Sequence, residues 1–306
     1  MRKFYYSNKG FRPAADSRLA KWINVMVPDS EDIRYLIEDE GVPPILLDYL
    51  EDKDERPRIE RNGDWIMIIV RIPVASDSPA MPYTTVPLGI ISKSAERVIS
   101  VCFHRNILTE DFVNHTCQNN INIESASEFA LRIFFATAHW YLTYLKSMSD
   151  YVIGNESVLE KSVANDDLKK LMKLQKSLVY FNTSIKGNVM VLARIQKIYE
   201  AELDQDLVED VDIELNQADT TVGIYSDILK ATMDSYASII SNNANEVMKR
   251  MSGLSIILIV PTFVASLYGM NVDILLSSPY AFWIIIAIAA VLTTFAFMCL
   301  RRLKWV

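Results

Sequence analysis

Histidine, cysteine and glycine are all scarce here: the 306-residue chain holds three, three and nine of them. Three histidines leave little from which to build a nucleophile–base pair, and the scattered glycines form no phosphate-cradling loop. The usual hydrolase and ATP-driven designs are thereby excluded, and no enzyme is expected. Cys102, Cys117 and Cys299 lie far apart, so there is neither a disulfide framework nor a Cys-x-x-Cys metal site. His115 and Cys117 are two metal-ligand types without further partners and read as incidental. The first residues, Met1 to Tyr6, lack an apolar stretch, so no cleaved signal peptide is expected. Charge is also missing, but only locally: residues 251–268 and 280–300 contain no Asp, Glu, Lys or Arg.

Those two uncharged runs hold much of the apolar excess of a chain that is 50% hydrophobic. A helix rises about 1.5 Å per residue, so about 20 residues cross the ~30 Å hydrocarbon layer of a bilayer. Both runs read as transmembrane helices, the first extended through Gly269 and Met270. Lys249 and Arg250 precede the first, and Arg301, Arg302 and Lys304 follow the second, whereas the connecting loop 271–279 has no basic residue. The bias of basic residues to the cytosolic side puts both termini in the cytoplasm and the loop outside. Trp283 and Trp305 fall near the ends of the second span, where interfacial indoles are common.

Setting aside those five basic residues and Asp273, the 31 basic and 38 acidic side chains become 26 and 37, a net of −11 for residues 1–248. Such an acidic body excludes nucleic acid as a partner and suits an attraction for cations. Its first 122 residues mix strands and short helices. Val, Ile and aromatic content predicts strands at 22–27, 65–72, 86–92 and 97–103. Ser30 is expected to cap a helix through Glu38. Residues 123–206 read as long antiparallel helices, broken around Gly154 and again at 164–167. A turn is expected in the acidic stretch 200–212, followed by a stalk and first span over 207–271, a loop over 272–279, a second span over 280–300 and a basic tail over 301–306.

The stalk segment has two stripes of helical period. Val211, Leu215, Ala218, Val222, Tyr225 and Leu229 form one that packs against other helices. The other runs Asp227, Ala231, Asp234, Ser238, Ser241, Asn245, Met248, Ser252, Ser255, Ile259, Thr262, Ser266, every step three or four. Small hydroxyl residues also let membrane helices pack closely, but close packing does not account for Asp, Ser and Asn continuing into the stalk. A water-filled axis accounts for both halves. One chain with two spans cannot enclose a pore, so several copies would surround it. A membrane-anchored coiled-coil scaffold is the rival, and it predicts apolar packing on every face of the long helix.

Where the first span ends, Tyr268-Gly269-Met270-Asn271 resembles the Gly-Met-Asn signature of the CorA family of magnesium channels. It is preceded by Pro261-Thr262-Phe263 and followed, after the second span, by the basic tail ending in Lys304-Trp305. The segment from Ser241 through Asn245 to Lys249 resembles the family's approach to the membrane. Trp22 to Pro28 and Glu55-Arg56-Pro57 resemble its N-terminal domain. The resemblance implies an α+β cytosolic domain, long antiparallel helices, a stalk and pore helix, and a second span, assembled as a homopentameric funnel in the plasma (inner) membrane. It implies passive Mg²⁺ influx, with cobalt, nickel or zinc as alternative cargo. Gly269, Met270 and Asn271 would form the selectivity filter, and Asn245, Met248, Ser252, Ser255, Thr262 and Ser266 the pore lining. Met251 and Ile259 match the family's apolar constrictions, although packing between helices is an equal account of Met251. Asp234 would bind regulatory Mg²⁺ together with a carboxylate such as Asp77, Asp64 or Asp227. The chain departs from the family in its external loop, where Asp273 is the only charge and an acidic Met-Pro-Glu-type stretch is absent. Related zinc transporters vary the middle signature residue.

Overall fold

A computed structural model describes the chain except for residues 16, 77, 95–96, 160–164, 200–201, 271–279 and 306. It divides into two units, Met1–Thr232 and Met233–Val306.

The first unit is built on one sheet of seven strands: β1 (Arg2–Ser7), β2 (Phe11–Pro13), β3 (Trp22–Met26), β4 (Arg58–Asn62), β5 (Trp65–Ala75), β6 (Tyr83–Ser94) and β7 (Arg97–Cys102). Their spatial order is β2-β1-β3-β7-β6-β5-β4. Only β3 and β7 pair in parallel; the other neighbours are antiparallel. The expected strands are present, and β1, β2 and β4 are additional. Short or rich in Arg, Lys and Glu, these three carry too weak an apolar pattern to stand out in the sequence.

The middle strands are buried on both faces, which is why Met67 to Val74 reads as an almost unbroken apolar run. On one face, Leu36 of α1 (Ser30–Glu38) and Leu46, Leu47 and Leu50 of α2 (Pro44–Glu51) pack with Ile23, Val25, Met67, Ile69, Ile91 and Ile99. Gly89 of β6 makes room there, since a Cβ would overlap the Leu50 side chain. On the other face lie α3 (Leu108–Gln118), α4 (Ala126–Leu159) and α5 (Asn165–Ile198). Trp22 is fully buried among Tyr5, Phe11, Phe112 and Phe129, and its indole N–H donates to Ser100 Oγ at 2.8 Å.

Three local expectations are corrected. The cap of α1 is Asp29, not Ser30: its carboxylate accepts from the N–H groups of Glu31 (3.0 Å) and Asp32 (2.8 Å), and Asp32 reaches back in a capping box. Ser30 is instead the first helical residue. Helix α4 runs through Gly154 without a break; a helix of 34 residues absorbs the roughly 1 kcal/mol that an interior glycine costs. The acidic stretch is mostly helix, because α6 begins at Gln205, with the Asp204 carboxylate accepting from the Asp206 N–H at 3.1 Å. Among its described residues, only 202–204 precede the helix.

Helix α6 (Gln205–Tyr268) is 64 residues long and includes Pro261. Its first part belongs to the first unit, where Val211, Leu215, Ala218, Val222 and Leu229 are buried and Tyr225 half-buried. That is the expected packing stripe. The remainder of α6 and α7 (Ala281–Arg302) make up the second unit.

Candidate pore site

In the second unit the few covered or half-covered positions form one stripe on each of α6 and α7. On α6 the covered residues are Gly253 and Val264, with Ile257, Val260 and Pro261 half-covered; on α7 Leu300 is covered and Ile285, Ala289, Thr293 and Ala296 are half-covered. Small residues on both sides permit close approach.

The polar stripe lies elsewhere. At about 100° per residue, Ser255, Ile259, Thr262 and Ser266 fall on the side of α6 opposite the covered stripe. All four are exposed. Met248 is exposed on the continuation of that side, Asp234 and Asn245 are exposed about 50° and 70° to one side of its centre, Ser252 is half-exposed at that same margin, and Met251 is exposed about 50° to the other side. Ile259 stands in the middle of the stripe. The sequence separates these residues from the bulky ones by period alone. The structure adds that, among the described residues, no element covers Ser255, Ile259, Thr262 or Ser266.

Their chemistry is that of neutral oxygen acceptors. Ser255 Oγ donates to the Met251 carbonyl at 2.9 Å and Thr262 Oγ1 to the Leu258 carbonyl at 2.8 Å. Ser238 Oγ donates to the Asp234 carbonyl at 3.0 Å. Each hydroxyl hydrogen is thus spent on the helix's own backbone, and the oxygen lone pairs remain for an outside donor such as the water shell of a cation. Arg250, at the start of the apolar segment, pairs with Glu246 at 2.6 Å, one helical turn earlier.

Gly269 and Met270 follow directly on α6. The Gly269 N–H bonds to the carbonyls of Ala265 (3.0 Å) and Ser266 (3.2 Å), and both residues are exposed. Asn271 lies outside the described residues, as does the loop with Asp273. Of the proposed partners of Asp234, Asp227 is exposed two turns before it on the same side of α6. Asp64 lies in the β4–β5 turn of the other unit, and Asp77 is outside the described residues. Among the described residues no group of three or more His, Cys, Asp or Glu side chains is gathered as a metal site. Cys117 instead donates its thiol to the Phe11 carbonyl at 3.1 Å.

The family model described as "CorA-like Mg2+ transporter protein" matches residues 19–302. The cobalt/magnesium transport protein CorA of Methanocaldococcus jannaschii is 25% identical over 299 residues, covering 93% of this chain and 91% of the relative. The protein of the same name from Thermotoga maritima is 22% identical over 311 residues, 96% of this chain and 85% of its own. The complete structure of the CorA magnesium transporter from Methanocaldococcus jannaschii superposes with a TM-score of 0.83 at 21% identity, covering 100% of this chain and 99% of that one.

Proposed function

Because the chain belongs to the family of CorA-like Mg²⁺ transporter proteins, a family of membrane transporters and not of enzymes, we propose that it forms a homopentameric channel for passive Mg²⁺ influx. The carrying observation is the exposed polar side of α6. Two helices are long and apolar enough to cross a membrane, Gln205–Tyr268 and Phe282–Arg302, and only 11% and 6% of their apolar windows are buried. Both therefore need another apolar surrounding, whereas the Ser and Thr stripe needs water. A central axis shared by several copies satisfies both requirements.

In this reading residues 1–122 and 123–206 are cytosolic, 207–271 carry the stalk and first span, and 280–300 the second. Both termini stay in the cytoplasm of the plasma (inner) membrane. Asn271 rings the outer mouth. Mg²⁺ gives up its water reluctantly, and amide oxygens accept hydrogen bonds from the ion's shell without stripping it. Ile259, flanked by Met251, supplies an apolar ring that closes by dewetting. Asp234 holds regulatory Mg²⁺ between subunits when the cytosolic concentration is high. Loss of the ion lets acidic neighbours separate, a population shift driven by differential binding. That the curated relatives are named cobalt/magnesium transport proteins makes cobalt the first alternative cargo.

The test is uptake of Mg²⁺, Co²⁺, Ni²⁺ and Zn²⁺ into liposomes holding the purified protein. We expect Mg²⁺ uptake, its loss in Asn271→Ala with assembly intact, and an Asp234→Lys variant that no longer responds to internal Mg²⁺. Normal Mg²⁺ flux through Asn271→Ala would remove the filter from that residue. No flux of any of the four ions would sink the channel itself.

A further inference from the structure

Arg71 is a charged residue buried without a counter-ion. It sits on β5, 6% exposed, just beyond the point where β4 stops pairing at Arg58 and Ile69. No strand continues there, and Asn188 of α5 takes over: its Oδ1 accepts from the Arg71 N–H at 3.0 Å, and its Nδ2 donates to the Arg71 carbonyl at 2.8 Å. The guanidinium is held only by neutral acceptors. Nε donates to Thr85 Oγ1 (3.0 Å), Nη1 to the carbonyls of Lys53 (2.9 Å) and Glu55 (2.8 Å), and Nη2 to the Thr85 carbonyl (2.6 Å). These bonds use four of its five hydrogens. Among the described residues no carboxylate comes within ion-pair distance of it. Burial pushes its pKa down, opposed by Tyr141 and then by Asp54.

Beside this cation lies a cavity of about 470 Å³, walled by Arg71, Arg56, Asp54, Tyr180, Thr183 and Ser184. Its volume falls within the ~300–1,000 Å³ of ordinary ligand pockets. The Arg56 side chain is exposed, and nothing among the described residues binds its guanidinium. An ion buried without a partner costs several kcal/mol, so a diffusible anion in this cavity would relieve what the fold leaves unpaired.

We propose that this cavity between β5 and α5 binds a phosphate group, held by Arg56 and Arg71. Arg56 offers a free guanidinium fork that matches a tetrahedral oxyanion, and Arg71 adds its charge and its one remaining N–H. Asp54 on the same wall selects among them: hydrogen phosphate carries a P–OH that can donate to a carboxylate, whereas sulfate and chloride have no proton to give. The site lies within the first unit and does not depend on the channel reading.

The experiment is thermal unfolding of the full-length protein in detergent and Mg²⁺-free buffer, titrated at constant ionic strength with inorganic phosphate, glycerol 3-phosphate, sulfate or chloride. A saturable rise in melting temperature is expected with phosphate or its ester, the tighter of the two identifying the natural source, and a weaker response with sulfate. Arg56→Ala removes charge-assisted bonds from an exposed position, so phosphate should bind about tenfold more weakly with the unliganded melting temperature unchanged. Thr183→Glu puts a fixed carboxylate in the cavity. It should abolish the phosphate response and leave the unliganded protein as stable as the parent or more so. Equal effects of phosphate, sulfate and chloride would overturn the proposal. So would a parent-like phosphate response in both variants, or a fall in the unliganded melting temperature of Thr183→Glu, which would mean that Arg71 is already neutralised.

Discussion

The two units use the same apolar alphabet in opposite ways. In the first, Trp22, Ile23, Met67, Ile69 and Leu50 are covered by the chain itself. In the second, Leu254, Leu258, Phe263, Phe282, Trp283 and Phe295 are exposed, although their segments are apolar enough to cross a membrane. Roughly 25 cal/mol is gained per Å² of apolar surface withdrawn from water, so the first unit is stabilised by its own core. The second gains nothing comparable until a bilayer or other copies of the chain surround it. Hydrophobicity therefore serves as internal cohesion in one unit and as choice of solvent in the other.

The bluntest way to break that contrast is to separate the units. A fragment ending at Thr232 should be folded and soluble without detergent, showing cooperative thermal unfolding, while the full chain should precipitate when detergent is removed. A fragment that also precipitates would mean that its core is incomplete by itself. The next test sets one buried side chain against one exposed one. Trp22→Ala removes a fully buried indole and its bond to Ser100, and should cost about 3–5 kcal/mol. Leu258→Ala in detergent should change stability by no more than about 0.5 kcal/mol. A large loss at Leu258 would show that protein rather than lipid covers that side of α6, and would redraw the comparison.

A smaller effect is expected where helix and sheet meet in the first unit. A Cβ on Gly187 would come within 2.8 Å of Pro57 Cγ, so Gly187→Ala should destabilise by about 1–3 kcal/mol through overpacking, measured by chemical denaturation. The smallest is at the start of α1. The Asp29 carboxylate is held below its usual pKa chiefly by the Asp32 N–H. A carboxylate whose folded pKa is depressed stabilises above its unfolded pKa and loses that contribution as pH falls through the folded value. Asp29→Ala should therefore lower the melting temperature slightly at neutral pH, and the difference from the parent should shrink on acidification below the ordinary carboxylate range. A difference that stays constant with pH would assign the effect to helix propensity and not to the cap.

Much of this architecture is legible in the residues because it depends on local period and on solvent preference. The two uncharged runs announce their surroundings by length alone. Val211 to Leu229 repeats at steps that only a packed helix needs, and the Ser and Thr stripe is visible because hydroxyls stand out among Ile, Leu and Phe at the same period. The four strands found from sequence lie in the middle of the sheet, where burial on both faces demands continuous Val and Ile. What stayed hidden depends on neighbours far along the chain. The edge strands β2 and β4, and β1 beside one of them, have no such demand on them, and the choice of Asp29 over Ser30 as cap turns on one residue of phase.

The sequence by itself determined the fold class, the spans and the candidate pore residues, since helical period, span length and the Gly-Met-Asn signature are properties of consecutive residues. Only the tertiary structure decided which side of α6 is left exposed, because that depends on what packs over Gly253 and Val264. It alone also placed Arg71 beside a cavity with no carboxylate, among the described residues, within ion-pair distance of its guanidinium. A buried arginine in a strand reads the same whether its partner is an acid, a carbonyl or an absent anion, and only the packing of residues more than a hundred positions away, Ser184 and Asn188 among them, tells these apart.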